Sequence, residues 1–235
     1  MKDSILVLLR HGQSLWNLKN VFTGWVDVPL SNQGIREAIE AGRAIDLVPF
    51  DVCYTSTLVR AQITLMLALS QHRGGRTPVV QHPESKLGKI YDDRTLQEQL
   101  PVWYAEELNE RMYGELQGKN KQQLREEVGE EQVKIWRRSF DVAPPSGESL
   151  KMTSERTLPY FDNTIIPKLK KRKNVLVSAH GNSLRSIVME IEGLSAEEVV
   201  NLEIPTGVPL CYLYEGGVWR KTTTEECQAR YREGS

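Results

Sequence analysis

Residues 5–12 read ILVLLRHG and residues 174–181 read NVLVSAHG. In the first stretch ILVLL is apolar without alternation, the pattern of a strand covered on both faces in a parallel sheet, and the second repeats it. Each run ends in a His-Gly pair, although the chain holds only four histidines. Ligands of open α/β sheets bind in the crevice at the carboxyl ends of the strands, so His11 and His180 are placed to face one site. Glycine after each histidine, at Gly12 and Gly181, lets the backbone turn sharply and approach a ligand closely.

Outward from these strands, residues 31–45 begin with a helix start at Ser31 or Asn32 and continue with helical apolar spacing, and residues 51–55 read as a short strand. Residues 58–69 follow as a helix. Residues 149–169 form another, bent or interrupted at Pro159 and stopped near Pro167, because proline cannot donate the intrahelical bond. Helices are expected over 182–191 and 195–200, and residues 209–214 and 218–221 form a hairpin across Gly216-Gly217. The alternation implies an α/β fold of three layers, a mostly parallel central sheet with helices on both faces. Residues 71–106, with glycines, prolines, mixed charge and little periodicity, are expected to be a long surface excursion. Residues after about 222 read as a polar tail.

The 235 residues are 40% hydrophobic and 26% charged, close to globular averages, and one domain over residues 1–235 is the expectation. The formal charge of -1 hides no basic tail, which argues against nucleic acid as a partner. The run 5–9 is far too short to span a membrane, and Asp3 stands where a signal peptide wants positive charge, so the cytoplasm is the expected location. Cys53, Cys211 and Cys227 lie far apart without metal-ligand spacing and read as reduced thiols, the first two in apolar runs and Cys227 in the tail. The basic run 168–173 reads as a solvated helix end.

Imidazole suits phosphoryl transfer because a nitrogen lone pair is available near neutral pH and the phosphorylated ring passes the group onward. Arg10 adds a fixed fork for phosphate oxygens. One His-Gly pair alone would be read as a structural turn; two at strand ends, one beside an arginine, favour function. No HxxxH, HxH or Cys/His cluster points to zinc, so no metal is expected. His72 and His82 fall in the excursion and are expected to be exposed.

LVLLRHGQSLWN (6–17) resembles the signature of the histidine phosphatase superfamily, in particular its cofactor-dependent phosphoglycerate mutase branch. The likeness continues in order through VFTGWVDVPLSNQG (21–34), YTSTLVRA (54–61), LNERMYGELQGKNK (108–121), EEQVKIWRRSF (130–140), SAHGNSLRSIV (178–188) and IPTGVP (204–209). The resemblance implies that His11 carries the phosphoryl group, that His180 stabilises the charge developing in transfer, and that Glu110 is the proton donor and acceptor. It implies further that Arg10, Arg60 and Asn17 bind phosphoryl oxygens, with Gly181 and Asn182 close by. Ser14, Thr23 and Gly24 would shape the pocket, and Arg111, Tyr113, Lys121, Arg137 and Arg138 would hold the rest of the substrate. Glu110 suits its part if the enclosed site raises its pKa.

Mutase and phosphatase differ in whether the phosphoenzyme waits for a second substrate hydroxyl or for water. Basic residues for a multiply charged small acid, with the FTGW, WRRSF and PTGVP segments, favour the mutase. The implied reaction interconverts 3-phosphoglycerate and 2-phosphoglycerate, with 2,3-bisphosphoglycerate as primer and intermediate. A histidine phosphatase acting on a small phosphorylated metabolite is the alternative, and a catalytically silent phospho-ligand-binding protein would need a key residue missing. Members of the family form homodimers or homotetramers.

Overall fold

A computed structural model describes residues 3–83, 85–90 and 92–232. Strand β1 (Ser4–Arg10) leads through the short helix α1 (Leu15–Leu18) to α2 (Asn32–Ala44), β2 (Val52–Ser56) and α3 (Val59–Leu69). Then come β3 (Thr77–Val80), α4 (Asp93–Gln97) and β4 (Gln99–Ala105), followed by α5 (Lys121–Val128), α6 (Glu130–Arg138), α7 (Leu150–Tyr160) and α8 (Ile166–Lys170). The remainder runs through β5 (Val175–Ala179), α9 (Gly181–Glu192), α10 (Ala196–Asn201), β6 (Pro209–Glu215), β7 (Val218–Thr222) and α11 (Thr224–Arg232).

Among the described residues these strands form one seven-stranded sheet in the order β3-β4-β2-β5-β1-β6-β7. The first five are parallel, and β6 and β7 add an antiparallel edge. Successive side chains of β1 alternate between faces. Leu6 and Leu8 pack with Val177, Phe161, Leu184 and Ile187 on one side. Ile5, Val7 and Leu9 pack with Ala41, Leu65, Leu176 and Cys211 on the other. Burial on both faces is why ILVLL shows no alternation, and it produces the three-layer α/β arrangement.

The Gly216-Gly217 hairpin is present, and both glycines sit at positive φ, 59° and 95°, which a two-residue turn of this kind requires. The 149–169 helix differs in detail. Pro159 lies inside α7, and the chain then makes a π-helical turn over Phe161–Ile165 before α8 resumes. Pro167 does not stop the helix; it occupies the first turn of α8, where no intrahelical donor is needed.

Three expectations are corrected. The segment 71–106 is not wholly a surface excursion, since β3 and β4 extend the sheet beside β2 and bury Leu100, Val102 and Ala105. Within it His72 is half-buried, its ring tilted against Phe50 with centroids 5.7 Å apart and its Nε2 bonding the Val48 carbonyl at 2.7 Å, whereas His82 is exposed. The residues after 222 are not a free tail, because α11 packs back on the sheet. Cys227 is fully buried in the cluster that holds Cys211, Arg230 pairs with Asp3 at 2.8 Å, and the Gln228 amide donates to the Ala44 carbonyl. No helix among the described residues is long and apolar enough to cross a membrane.

Candidate active site

Strands β1 and β5 are parallel neighbours in register, Arg10 opposite Ala179, and the His11 N–H donates to the Ala179 carbonyl at 3.0 Å. The two histidines therefore leave the sheet side by side. Their ring centroids are 4.9 Å apart with planes at 58°, and both residues are buried.

His11 Nδ1 lies 2.7 Å from the Gly12 carbonyl, an acceptor only, so Nδ1 carries the proton and Nε2 keeps a lone pair. Burial, with the positive charges of Arg60 and Arg10 nearby, holds the His11 pKa well below its ordinary range. His180 is lowered in the same way by burial, Arg60, His11 and Arg10. Both rings are neutral at neutral pH.

Arg60 enters from the first turn of α3 and is itself buried. Its guanidinium is fixed by the carbonyls of Val26 at 3.0 Å and Gly24 at 2.7 Å, and burial brings its pKa down to about 10. Arg10 is tied to the Ile204 carbonyl at 2.7 Å. Arg10 Nε, Thr23 Oγ1 and His180 Nδ1 are buried without any partner. Unpaired buried polar atoms are rare, and this group calls for an external polyanion.

Glu110 faces the histidines from the loop after β4. Its Oε1 accepts from the backbone N–H of Arg111 at 2.8 Å, the Asn182 side chain at 2.8 Å and the Asn182 N–H at 3.2 Å, at the amino end of α9. Burial opposes ionisation, but these donors with Arg10 and Arg60 outweigh it, and the pKa lies below the ordinary carboxylate value. The expected upward shift is thus corrected: hydrogen bonds to the charged form win over desolvation. The loop itself is held by Trp25 Nε1, 2.5 Å from the Glu110 carbonyl, and by Arg156, which bonds the carbonyls of Glu107, Asn109 and Glu110 while paired with Glu148.

Arg10, His11, Asn17, Thr23, Gly24, Arg60, Glu110, Tyr113, Lys121, Arg137, Arg138, Gly181 and Asn182 all line one cleft. Lys121 opens α5 and stands 5.5 Å over the Phe22 ring, its pKa lowered chiefly by burial, while Arg137 and Arg138 close α6. Ser14, Arg111 and His180 do not line it, His180 being fully buried beside the His11 ring. Ser14 caps α1 by accepting from Asn17, whose side chain returns a bond to the Ser14 N–H, both at 3.1 Å. Arg111 is buried behind Tyr113 and donates to its hydroxyl at 3.0 Å.

The cleft also includes residues that sequence reading did not single out. Arg185 stands one helical turn after Asn182 on α9 and bonds its side-chain oxygen at 3.2 Å; the spacing within SAHGNSLRS is the signal that places it there. Glu203, just before the IPTGVP segment, pairs with Arg138 at 2.6 Å. Arg10, Arg60, Lys121, Arg137, Arg138 and Arg185 set six basic groups against Glu110 and Glu203. Among the described residues no group of three or more His, Cys, Asp or Glu is arranged to hold a metal ion.

Residues 6–86 and 93–226 match the family model described as "Histidine phosphatase superfamily (branch 1)". The chain is 58% identical over 211 residues to the 2,3-bisphosphoglycerate-dependent phosphoglycerate mutase of Protochlamydia amoebophila, covering 88% of this chain and 93% of the relative. It is 53% identical to the protein of that name from Chlamydia trachomatis serovar D, covering 93% and 97%. A solved mycobacterial glucosyl-3-phosphoglycerate phosphatase shares the fold at a TM-score of 0.72 and 21% identity, over 94% of this chain and 98% of that one. The chain belongs to the histidine phosphatase superfamily, branch 1, and within it to the family of these phosphoglycerate mutases.

Proposed function

We propose that the protein interconverts 3-phosphoglycerate and 2-phosphoglycerate through a phosphoryl group carried on His11. The observation that carries this reading is the pair of buried, neutral imidazoles 4.9 Å apart, His11 of the pair lining a strongly basic cleft. Nε2 of His11, freed by the Nδ1 bond to Gly12, attacks phosphorus. The P–N bond forms as the P–O bond breaks, and Glu110 gives the departing oxygen a proton. In the opposite half-reaction the substrate hydroxyl attacks the phosphohistidine and its proton passes to Glu110.

Glu110 is ionised in the ligand-free cleft, the state in which it takes the proton of the substrate hydroxyl once His11 carries the phosphoryl group. The phosphates of a bisphosphorylated acid bound beside uncharged His11 shift the pKa of Glu110 upward, so that it holds the proton that the acid half, which phosphorylates His11, gives to the departing oxygen. Arg10 and Arg60 offset the charge on the transferred group, with Asn17, Thr23 and Gly24 around it and Gly181 and Asn182 at the amino end of α9. Tyr113, Lys121, Arg137 and Arg138 hold the carboxylate and distal phosphate. Arg111 acts from behind Tyr113, and Ser14 acts by capping the helix that carries Asn17.

The positive excess and the unpaired buried donors fit a bisphosphorylated acid. 2,3-Bisphosphoglycerate, when bound, supplies the phosphoryl group that charges His11. The names of the relatives support the mutase over the phosphatase reading. The same reading puts the enzyme in the cytoplasm, as a homodimer or homotetramer. The test is 2-phosphoglycerate formation from 3-phosphoglycerate with and without 2,3-bisphosphoglycerate: turnover that rises with the primer is expected, whereas phosphate release without 2-phosphoglycerate would mark a phosphatase.

A further inference from the structure

We infer that Ser56 is a positioning residue for this transfer: its hydroxyl donates to Nε2 of His180 and fixes the tautomer whose Nδ1–H is offered to the transferred phosphoryl group. The inference rests on the reading of His11 as phosphoryl carrier and specifies which proton its neighbour presents. Ser56 is the last residue of β2, which pairs with β5 in the sheet, so its side chain meets the residue that follows β5. Both side chains are fully buried, and Oγ lies 2.7 Å from Nε2.

The hydrogen count separates two placements. Ser56 Oγ already accepts the Leu58 N–H at 3.2 Å. If Nε2 also donated to it, both lone pairs of the hydroxyl would be used, and its own proton would have no acceptor in a site closed to water. At the same time Nδ1, which has no hydrogen-bond partner in the protein, would be left as a bare buried lone pair beside the ring that carries the phosphoryl group. With the proton on Nδ1, the hydroxyl donates to Nε2 and every group of the pair is satisfied except Nδ1–H. Phosphoryl oxygens are acceptors only, so this remaining donor is matched when the group sits on the ring 4.9 Å away. The imidazolium form fails the same count, and burial among Arg60, His11 and Arg10 disfavours it further.

The experiment is a long-range 1H–15N correlation spectrum of histidine-labelled enzyme without ligand, assigned through His72→Gln and His82→Gln, together with kinetics and orthovanadate affinity of Ser56→Ala and Ser56→Thr. The wild-type spectrum is expected to show His180 protonated at Nδ1. Ser56→Ala is expected to lose that single tautomer, to lower kcat and vanadate affinity by about tenfold or more, and to change KM little. Ser56→Thr, which keeps the hydroxyl, is expected to recover most of both. A proton on Nε2 of His180 in the wild type overturns the inference even if neither variant folds, as does a Ser56→Ala enzyme with unchanged kcat and vanadate affinity. A protein that shows the expected tautomer and vanadate response without phosphoglycerate turnover would instead refute the assigned reaction and leave the role of Ser56 standing.

Discussion

His11 and His180 end adjacent parallel strands, and their rings stand 4.9 Å apart with neither exposed to solvent. Their folded pKa values are depressed, by burial first and by arginine charge second. As pH falls below the unfolded value of about 6.5, the unfolded chain takes up protons that the folded chain refuses. Their contribution to stability is therefore complete above about pH 6.5 and lost as pH falls through the depressed values. Urea unfolding at pH 7.5 and 5.5 checks this: a lower midpoint at 5.5 is expected, with a smaller difference in His11→Gln. An equal or higher midpoint at 5.5 would contradict the burial argument.

Glu110→Gln keeps the size of the side chain and its acceptance of the Asn182 bonds but cannot carry a proton between substrate and solvent. It is expected to lower kcat by about 100-fold to 10,000-fold while leaving KM within a few-fold. Steady-state kinetics reads the result, and a KM effect alone would assign Glu110 to binding.

Arg156→Met tests the support of that carboxylate. Arg156 is fixed by Glu148 at 2.9 Å and grips three carbonyls of the 107–110 loop, and its removal leaves Glu148 unpaired. A loss of about 3 kcal/mol of stability is expected from breaking this largely buried pair, measured by urea unfolding. A fall in kcat should accompany it, since the Glu110 backbone loses one of its two ties.

Gly34→Ala and Gly181→Ala separate two uses of glycine. A Cβ at Gly34 would lie 2.1 Å from the Gln13 carbonyl oxygen, so α2 cannot approach the 11–14 turn. That variant is expected to lose about 1–3 kcal/mol and much of its activity. At Gly181 the nearest atoms, of the Arg10 guanidinium, would be 3.6 Å away, an ordinary contact. The melting temperature of Gly181→Ala should stay near that of the wild type.

The sequence made β1 and β5 legible because strands buried on both faces need uninterrupted apolar runs. It hid β3 and β4 for the opposite reason. TPVV is a half-exposed edge strand, and QLPVWYA includes Pro101, which cannot donate to the ladder. Helix α11 was equally hidden, since TEECQARYR offers Cys227 to the core but no apolar stripe. The clustering of His11, Arg60, Glu110 and His180 came from recognisable motifs, but the charge state of Glu110 did not. Three donors converging on Oε1 depend on how the 107–110 loop meets α9, a long-range fact without a local pattern.

The most direct test is to incubate the protein with 2,3-bisphosphoglycerate and locate the bound phosphate by mass spectrometry under conditions that preserve phosphohistidine. A single phosphoryl group is expected on the peptide containing His11, attached at Nε2, and none in His11→Ala, which should also lack turnover. Phosphate on any other residue, or an active His11→Ala enzyme, would contradict the role of His11 as carrier.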